Sequence, residues 1–157
     1  MRTILIAALV CTASMLLPSA HAQPSDADTQ QLTILRAKAE TGDAKSQFVF
    51  GVAYSLGKFG LATNHVEAVK WFRKAAEQNV AQAQNNLGVC YERGDGVAKY
   101  EVEAYKWYLL AAAQGDNKAR RNASILELML LPEQVAEGKR RAQDWLEPRK
   151  KPSTNNR

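Results

Sequence analysis

Ala68, Trp71, Phe72, Ala75 and Ala76 stand at i, i+3, i+4, i+7 and i+8, and Ala104, Trp107, Tyr108, Ala111 and Ala112 repeat that spacing. Such a stripe is the buried face of a helix. Ahead of each stripe the pattern predicts a first helix, in which Phe50 and Tyr54, or Leu87 and Tyr91, lie four apart on one face. Gly51 and Gly88 on these first helices let a neighbouring helix approach closely, and Gly57 and Gly94 are expected to end them as left-handed C-caps. The two tryptophans are core residues on this reading. Burying one removes roughly 150 to 250 Å² from water, on the order of 4 to 6 kcal/mol gross.

The two halves are one unit used twice. Gly51, Tyr54 and Gly57 recur 37 positions on as Gly88, Tyr91 and Gly94, and Glu67, Ala68, Lys70, Trp71, Ala75 and Ala76 recur 36 positions on as Glu103, Ala104, Lys106, Trp107, Ala111 and Ala112. The one-residue change falls in the turn between Gly57 and Gly60. A period of this length marks a helical array built from helix, turn and second helix. Before the first unit, residues 31–42 read as the end of another second helix, with Gly42 in the place of Asn79 and Gly115. After the second, Ala119 takes the place of Ala83 and opens a closing unit over 116–147 that lacks the glycine turn. There Pro132 starts the last helix, with Glu133 suited to its dipole. The chain is thus expected to be all-α with about seven helices: a leading half-unit over 31–42, repeats over 43–79 and 80–115, and the closing unit.

The run LGVCYERGDGVAKYEVEAYKWYLLAAAQGDNKA resembles the Sel-one-like repeat, a relative of the tetratricopeptide repeat. The family's Leu-Gly-x-x-Tyr-x-x-Gly-x-Gly-Val pattern lies at Leu87 to Val97, and its Ala-x-x-Trp-Tyr-x-x-Ala-Ala-x-x-Gly pattern at Ala104 to Gly115. The preceding unit is looser, with Phe50, Gly60-Leu61, Phe72 and Asn79 at family positions. Pro132 to Gln134 resembles the way bacterial members end. The resemblance implies a right-handed superhelical solenoid of antiparallel helix hairpins, whose concave face, lined by first helices, binds proteins or peptides. Some exported bacterial members carry a disulfide in each repeat and are linked to penicillin binding; those cysteine pairs are missing here, so that activity is not carried over. The family supplies no catalytic residue to place on this chain.

The termini are of a different character. Met1 to Ala22 has the layout of a secretory signal: Arg2, an apolar run from Ile4 to Leu17, and Ala20-His21-Ala22 before Gln23, with cleavage expected after Ala22. The apolar run is short for a membrane span, and no other segment is a candidate. Residues 23–30 read as a linker. Periplasmic or secreted location follows as an expectation. Cys11 would leave with the signal, leaving Cys90 alone, buried in a helix and without a disulfide partner. The formal net charge of +5 is not spread evenly. Between Gln23 and Glu147 there are 16 basic and 16 acidic residues; the excess lies in Arg2 of the signal and in Arg149, Lys150, Lys151 and Arg157 of a basic tail over 148–157, read as disordered. A nearly neutral solenoid points away from nucleic acid and toward binding by shape and local polar contacts.

Enzyme chemistry is not indicated. His65 alone cannot build a two-histidine metal site, and a Cys90–His65 pair has no third group to orient it. Glu67–Lys70 and Glu103–Lys106 are i, i+3 pairs suited to an exposed helix face. Gly94-Asp95-Gly96 lacks the strand and the Gly-Lys-Ser/Thr of a phosphate loop. No cofactor, metal or catalytic residue is therefore assigned. Removing core positions from the first helices leaves two columns, Gln47, Gln84 and Arg120 in one and Phe48, Asn85 and Arg121 in the other. Amides and guanidinium groups in a groove suit the backbone or carboxylates of an extended partner, and Phe48 suits an apolar anchor. The expected function is that of an exported scaffold of the bacterial cell envelope binding a protein, a peptide or a peptidoglycan fragment through the concave groove, with an envelope hydrolase or an antibiotic- or peptidoglycan-binding protein as the alternative.

Overall fold

The computed structural model describes residues 25–147, which form seven helices and no strand: α1 (Asp26–Glu40), α2 (Ala44–Leu56), α3 (His65–Glu77), α4 (Ala81–Arg93), α5 (Glu101–Ala113), α6 (Asn117–Glu127) and α7 (Pro132–Leu146). The secretory signal, Cys11 and the basic tail expected from the sequence lie outside the described residues.

The helices form a repeat solenoid in which α2 pairs with α3 and α4 with α5. Gly51 explains how close the first pair comes. A Cβ there would stand 2.6 Å from the Phe72 ring and 3.3 Å from the Ala68 carbonyl, and a Cβ at Gly88 would meet Tyr108 and Ala104 at 2.6 and 3.2 Å. The aromatic ring of each second helix thus seats on bare backbone of the first. Gly57 and Gly94 cap α2 and α4 at φ of 65° and 82°, each donating its N–H to the carbonyl four residues back. The longer first turn takes up its extra residue at Phe59, a non-glycine at φ 55°. Gly42, Asn79 and Gly115, which correspond by position, all lie at positive φ, so the register read from the sequence is also a register of backbone conformation.

The core follows the predicted stripes. Ala68, Trp71, Phe72, Ala75 and Ala76 are buried, as are Ala104, Trp107, Tyr108 and Ala111, while Ala112 is half-buried. Tyr108 donates its hydroxyl to Glu92 Oε2 at 2.5 Å, and burial, reinforced by that carboxylate, pushes its phenol well above the ordinary range. Cys90 is buried in the same core, beside Leu87 and Ala83, and burial pushes its thiol up to about 11.

One boundary, one helix packing and one surface differ from expectation. The linker over 23–30 is helix from Asp26 onward, because Ser25 and Asp28 cap each other reciprocally: the Asp28 N–H donates to Ser25 Oγ at 3.1 Å, and the Ser25 N–H to Asp28 Oδ2 at 3.3 Å. At the other end, α6 and α7 do not pair as α2 and α3 do. Helix α7 packs back on α5, where Gly138 admits the Tyr105 ring. The Glu103–Lys106 pair, expected on an exposed face, lies under this closing helix with its side chains only 15% and 11% exposed. Glu103 also accepts from Arg141 at 3.2 Å, and Lys106 stands over Trp107 and Trp145, whose rings meet edge-on at 5.0 Å. Helix α7 is thus held by charge and aromatic contacts in addition to a glycine seam at Gly138 like the one between α2 and α3.

The seam at Gly88 predicts that Gly88→Ala lowers stability by about 1 to 3 kcal/mol in chemical denaturation, although alanine is the better helix former. An unchanged or higher stability would mean that the Tyr108 ring yields without cost. Since the Cys90 thiol stays protonated until pH nears 11, iodoacetamide should leave native protein unlabelled at pH 8 and label it within minutes once denaturant is added. Rapid native labelling would show that the core opens there.

Candidate functional site

The repeat register sets equivalent positions of α2, α4 and α6 beside one another. Phe48, Asn85 and Arg121 form one row, Lys45, Gln82 and Lys118 the next, and Val49, Asn86 and Asn122 a third. An open concavity of about 410 Å³ lies across these helices, lined by Phe48, Gln82, Asn85, Asn86, Asn117 and Lys118 with Asp116. Phe48 leans on Phe72, with ring centroids 6.2 Å apart, and leaves part of its ring at the surface. Asn85 is nearly buried and takes a 3.1 Å hydrogen bond from Asn122, which ties α6 to α4 across the floor.

The two glutamines expected beside this row are not in it. Gln47 is 5% exposed and Gln84 is fully buried. Gln47 Nε2 donates to the Ala39 carbonyl at 3.0 Å, and Gln47 Oε1 accepts from Gln78 Nε2 at 2.7 Å. Gln84 repeats the arrangement: its Nε2 donates to Ala76 O at 3.2 Å and to Asn79 Oδ1 at 3.1 Å, and its Oε1 accepts from Gln114 at 2.7 Å. With their amides spent on three consecutive helices, neither side chain is available to a partner. Arg120, which follows them in register, is exposed and donates only to Asn117 of its own helix, at 2.8 Å. Of the six proposed contact residues, Phe48 and Asn85 are brought together at the concavity, Arg120 and Arg121 are exposed on α6, and the glutamines belong to the frame.

Gln82, Asn86, Asn117, Lys118 and Asn122 were not singled out by sequence. The same register contains them: Asn86 and Asn122 lie one position after the second column, and Gln82, Asn117 and Lys118 three positions before one column or the other. What was missing was the rotation of each helix, which decides whether a polar residue beside a core position faces solvent or the neighbouring unit.

The conventional chemistry of a catalytic centre is sparse. His65 is the first residue of α3, after Asn64, whose side chain accepts the Glu67 N–H at 3.1 Å. Glu67–Lys70 is an ion pair on the outside of α3, while the equivalent Glu103–Lys106 is covered by α7. Among the described residues, no group of three His, Cys, Asp or Glu side chains is placed to hold a metal ion, and no helix is long and apolar enough to cross a membrane.

Known proteins share this architecture. Residues 44–80 and 81–116 match the Sel1 repeat family. A component of an ERAD-associated E3 ubiquitin-protein ligase from Arabidopsis thaliana is 33% identical over 69 residues, which cover 44% of this chain and 10% of that protein. The chain therefore spans about a tenth of the length of this curated relative. A protective antigen of uropathogenic Escherichia coli, displaying an SLR fold, superposes with a TM-score of 0.69 at 28% identity, over 80% of this chain and 30% of that one. A Sel1 repeat protein from Oxalobacter formigenes gives 0.61 at 34% identity, over 76% and 51%. Sel1 repeats serve as protein–protein interaction scaffolds, on folds that are generally not catalytic. The matched units coincide with the α2–α3 and α4–α5 hairpins, so residues 44–116 of this chain are two Sel1 repeats.

Proposed function

We propose that this chain is an exported scaffold of the bacterial cell envelope that holds a partner polypeptide along the face formed by α2, α4 and α6. The observation that carries this reading is the alignment of three first helices around one concavity. It presents part of the Phe48 ring together with amide groups, in a molecule whose repeats belong to a protein-binding family. An apolar side chain of the partner would anchor on Phe48, and its main chain would pair with the amides of Gln82, Asn86 and Asn117. Export rests on the apolar run Ile4 to Leu17 and the Ala20-His21-Ala22 site. Likeness to repeat proteins of two bacteria fits the same setting.

A photo-crosslinking amino acid placed at Phe48 or Asn86 in living cells tests the face, with Lys70 on the outside of α3 as control. Adducts with a polypeptide are expected from the first two positions and not from Lys70. Adducts that disappear on muramidase digestion would replace the polypeptide with peptidoglycan, and equal adducts from Lys70 would contradict the face. Mass spectrometry of the envelope fraction should find a chain starting at Gln23; a chain retaining Met1 and confined to the cytosol would remove the export part of the proposal.

A further inference from the structure

We infer that the concave face takes an extended polypeptide segment in which acidic and aliphatic side chains alternate, a deduction that rests on the reading of this face as the partner site. The charges of the solenoid balance as a whole but are sorted by helix. Helix α2 carries a single charged residue, Lys45, and α4 carries none before Glu92 in its last turn. Helix α6 carries Lys118, Arg120 and Arg121 and no carboxylate before Glu127, its last residue. Among the described residues, Lys45, Lys118 and Arg121 form no ion pair. Lys45 and Lys118 share a register row with Gln82, and Arg121 follows Phe48 and Asn85 in the adjoining one. The two lysines therefore stand at the N-terminal edge of one face, with Arg121 one row in from them.

The carboxylates at that edge are engaged elsewhere. Asp43 caps α2 by accepting the Ser46 N–H at 2.8 Å, and Asp116 caps α6 by accepting the N–H groups of Lys118 and Ala119, both at 2.9 Å. Asp116 does line the concavity and moderates its charge without pairing with either lysine. Glu92 is bound by Tyr108, and Glu127 is paired with Lys139.

One helical turn further along the same face, at i+4 from Phe48, Asn85 and Arg121, stand Val52, Val89 and Ile125. The valines are half-buried and Ile125 is 58% exposed. The face is therefore graded, with Lys45 and Lys118 flanking Gln82 along the N-terminal edge, Arg121 beside the amides of Asn85 and Asn86 in the middle, and aliphatic groups along the far edge. A chain crossing the three helices in extended conformation presents successive side chains to opposite edges, because its side-chain period is two. Acids at alternate positions meet the lysines and arginine, aliphatic residues between them meet the valines and isoleucine, and the main chain lies over the amides. A nucleic acid would use the cations but leave the aliphatic row facing a sugar-phosphate backbone. The basic run Arg149 to Lys151 of this chain has the wrong sign to occupy the face.

Fluorescence anisotropy on the whole mature protein tests the inference, using short labelled peptides in which Val alternates with Glu, Gln or Lys. The Glu–Val peptide should bind, and weaken by at least about tenfold in the Lys45→Gln, Lys118→Gln, Arg121→Gln triple variant and with added salt. Gln82→Trp, at an exposed position lining the concavity, should block it by bulk while leaving the melting curve in place. Equal binding of the Gln–Val peptide, still blocked by Gln82→Trp, would overturn the acidic preference and keep the face. Binding of the Glu–Val peptide that ignores Gln82→Trp would overturn the face as well. A short oligothymidylate bound as tightly as the Glu–Val peptide, and lost in the same triple variant, would show an unselective anion surface and overturn the inference, as would absence of binding by any peptide.

Discussion

The geometry of the array depends on a buried side-chain amide used twice. A glutamine of each first helix donates to a carbonyl of the second helix before it and accepts from a glutamine at the end of the second helix after it. Gln47 thus joins α1, α2 and α3, and Gln84 joins α3, α4 and α5. Apolar packing is tolerant of small rotations, whereas a buried amide must keep its partners or carry the cost of an unsatisfied polar group. The two glutamines therefore specify how one unit is set against the next, and with it the curvature that brings Phe48, Asn85 and Asn86 to one concavity.

The array loses its regularity where the relay stops. At the next equivalent position stands Arg120, whose side chain turns to solvent, and Ser124 occupies the place of Gly51 and Gly88. Without the amide and without bare backbone for an aromatic ring, α6 cannot receive a second helix in the manner of α2 and α4. Helix α7 is instead fastened to α5 through Trp107, Trp145, Lys106, Glu103 and Arg141. Helix α7 in this way covers the apolar face of α5, as a terminal repeat requires, while Leu128, Met129 and Leu131 between α6 and α7 stay exposed. It also leaves α6 free of a second helix, so its cations remain available to the face shared with α2 and α4.

Much of this was legible in the residues. The alanine and aromatic stripes, the capping glycines and the Gly42–Asn79–Gly115 correspondence each follow from a periodicity or a steric rule that one sequence displays, and each is found in the structure. In the sequence the glutamines have the pattern of groove residues, for a physical reason. A polar residue next to a core position is usually solvated, and its burial becomes legible only when the carbonyl of another helix is placed beside it. Glu103 and Lys106 have the spacing of a surface pair, yet α7 covers them, a tertiary contact that no local pattern encodes. The early start of α1 was in principle legible, since Ser25 and Asp28 form a capping pair ahead of the first apolar residue. Net charge misled in another way: the even balance of the solenoid conceals the concentration of unpaired cations on its first helices.

The claim that the amide relay sets one unit against the next is tested most directly by a double-mutant cycle on Gln84→Met and Gln114→Ala, read by chemical denaturation. Methionine keeps the volume of the buried side chain and removes its amide. The account predicts a coupling of about 1 kcal/mol between the two positions, because each substitution removes the same hydrogen bond. Effects that add to within about 0.3 kcal/mol would show that the units are held by apolar packing alone, and would contradict it.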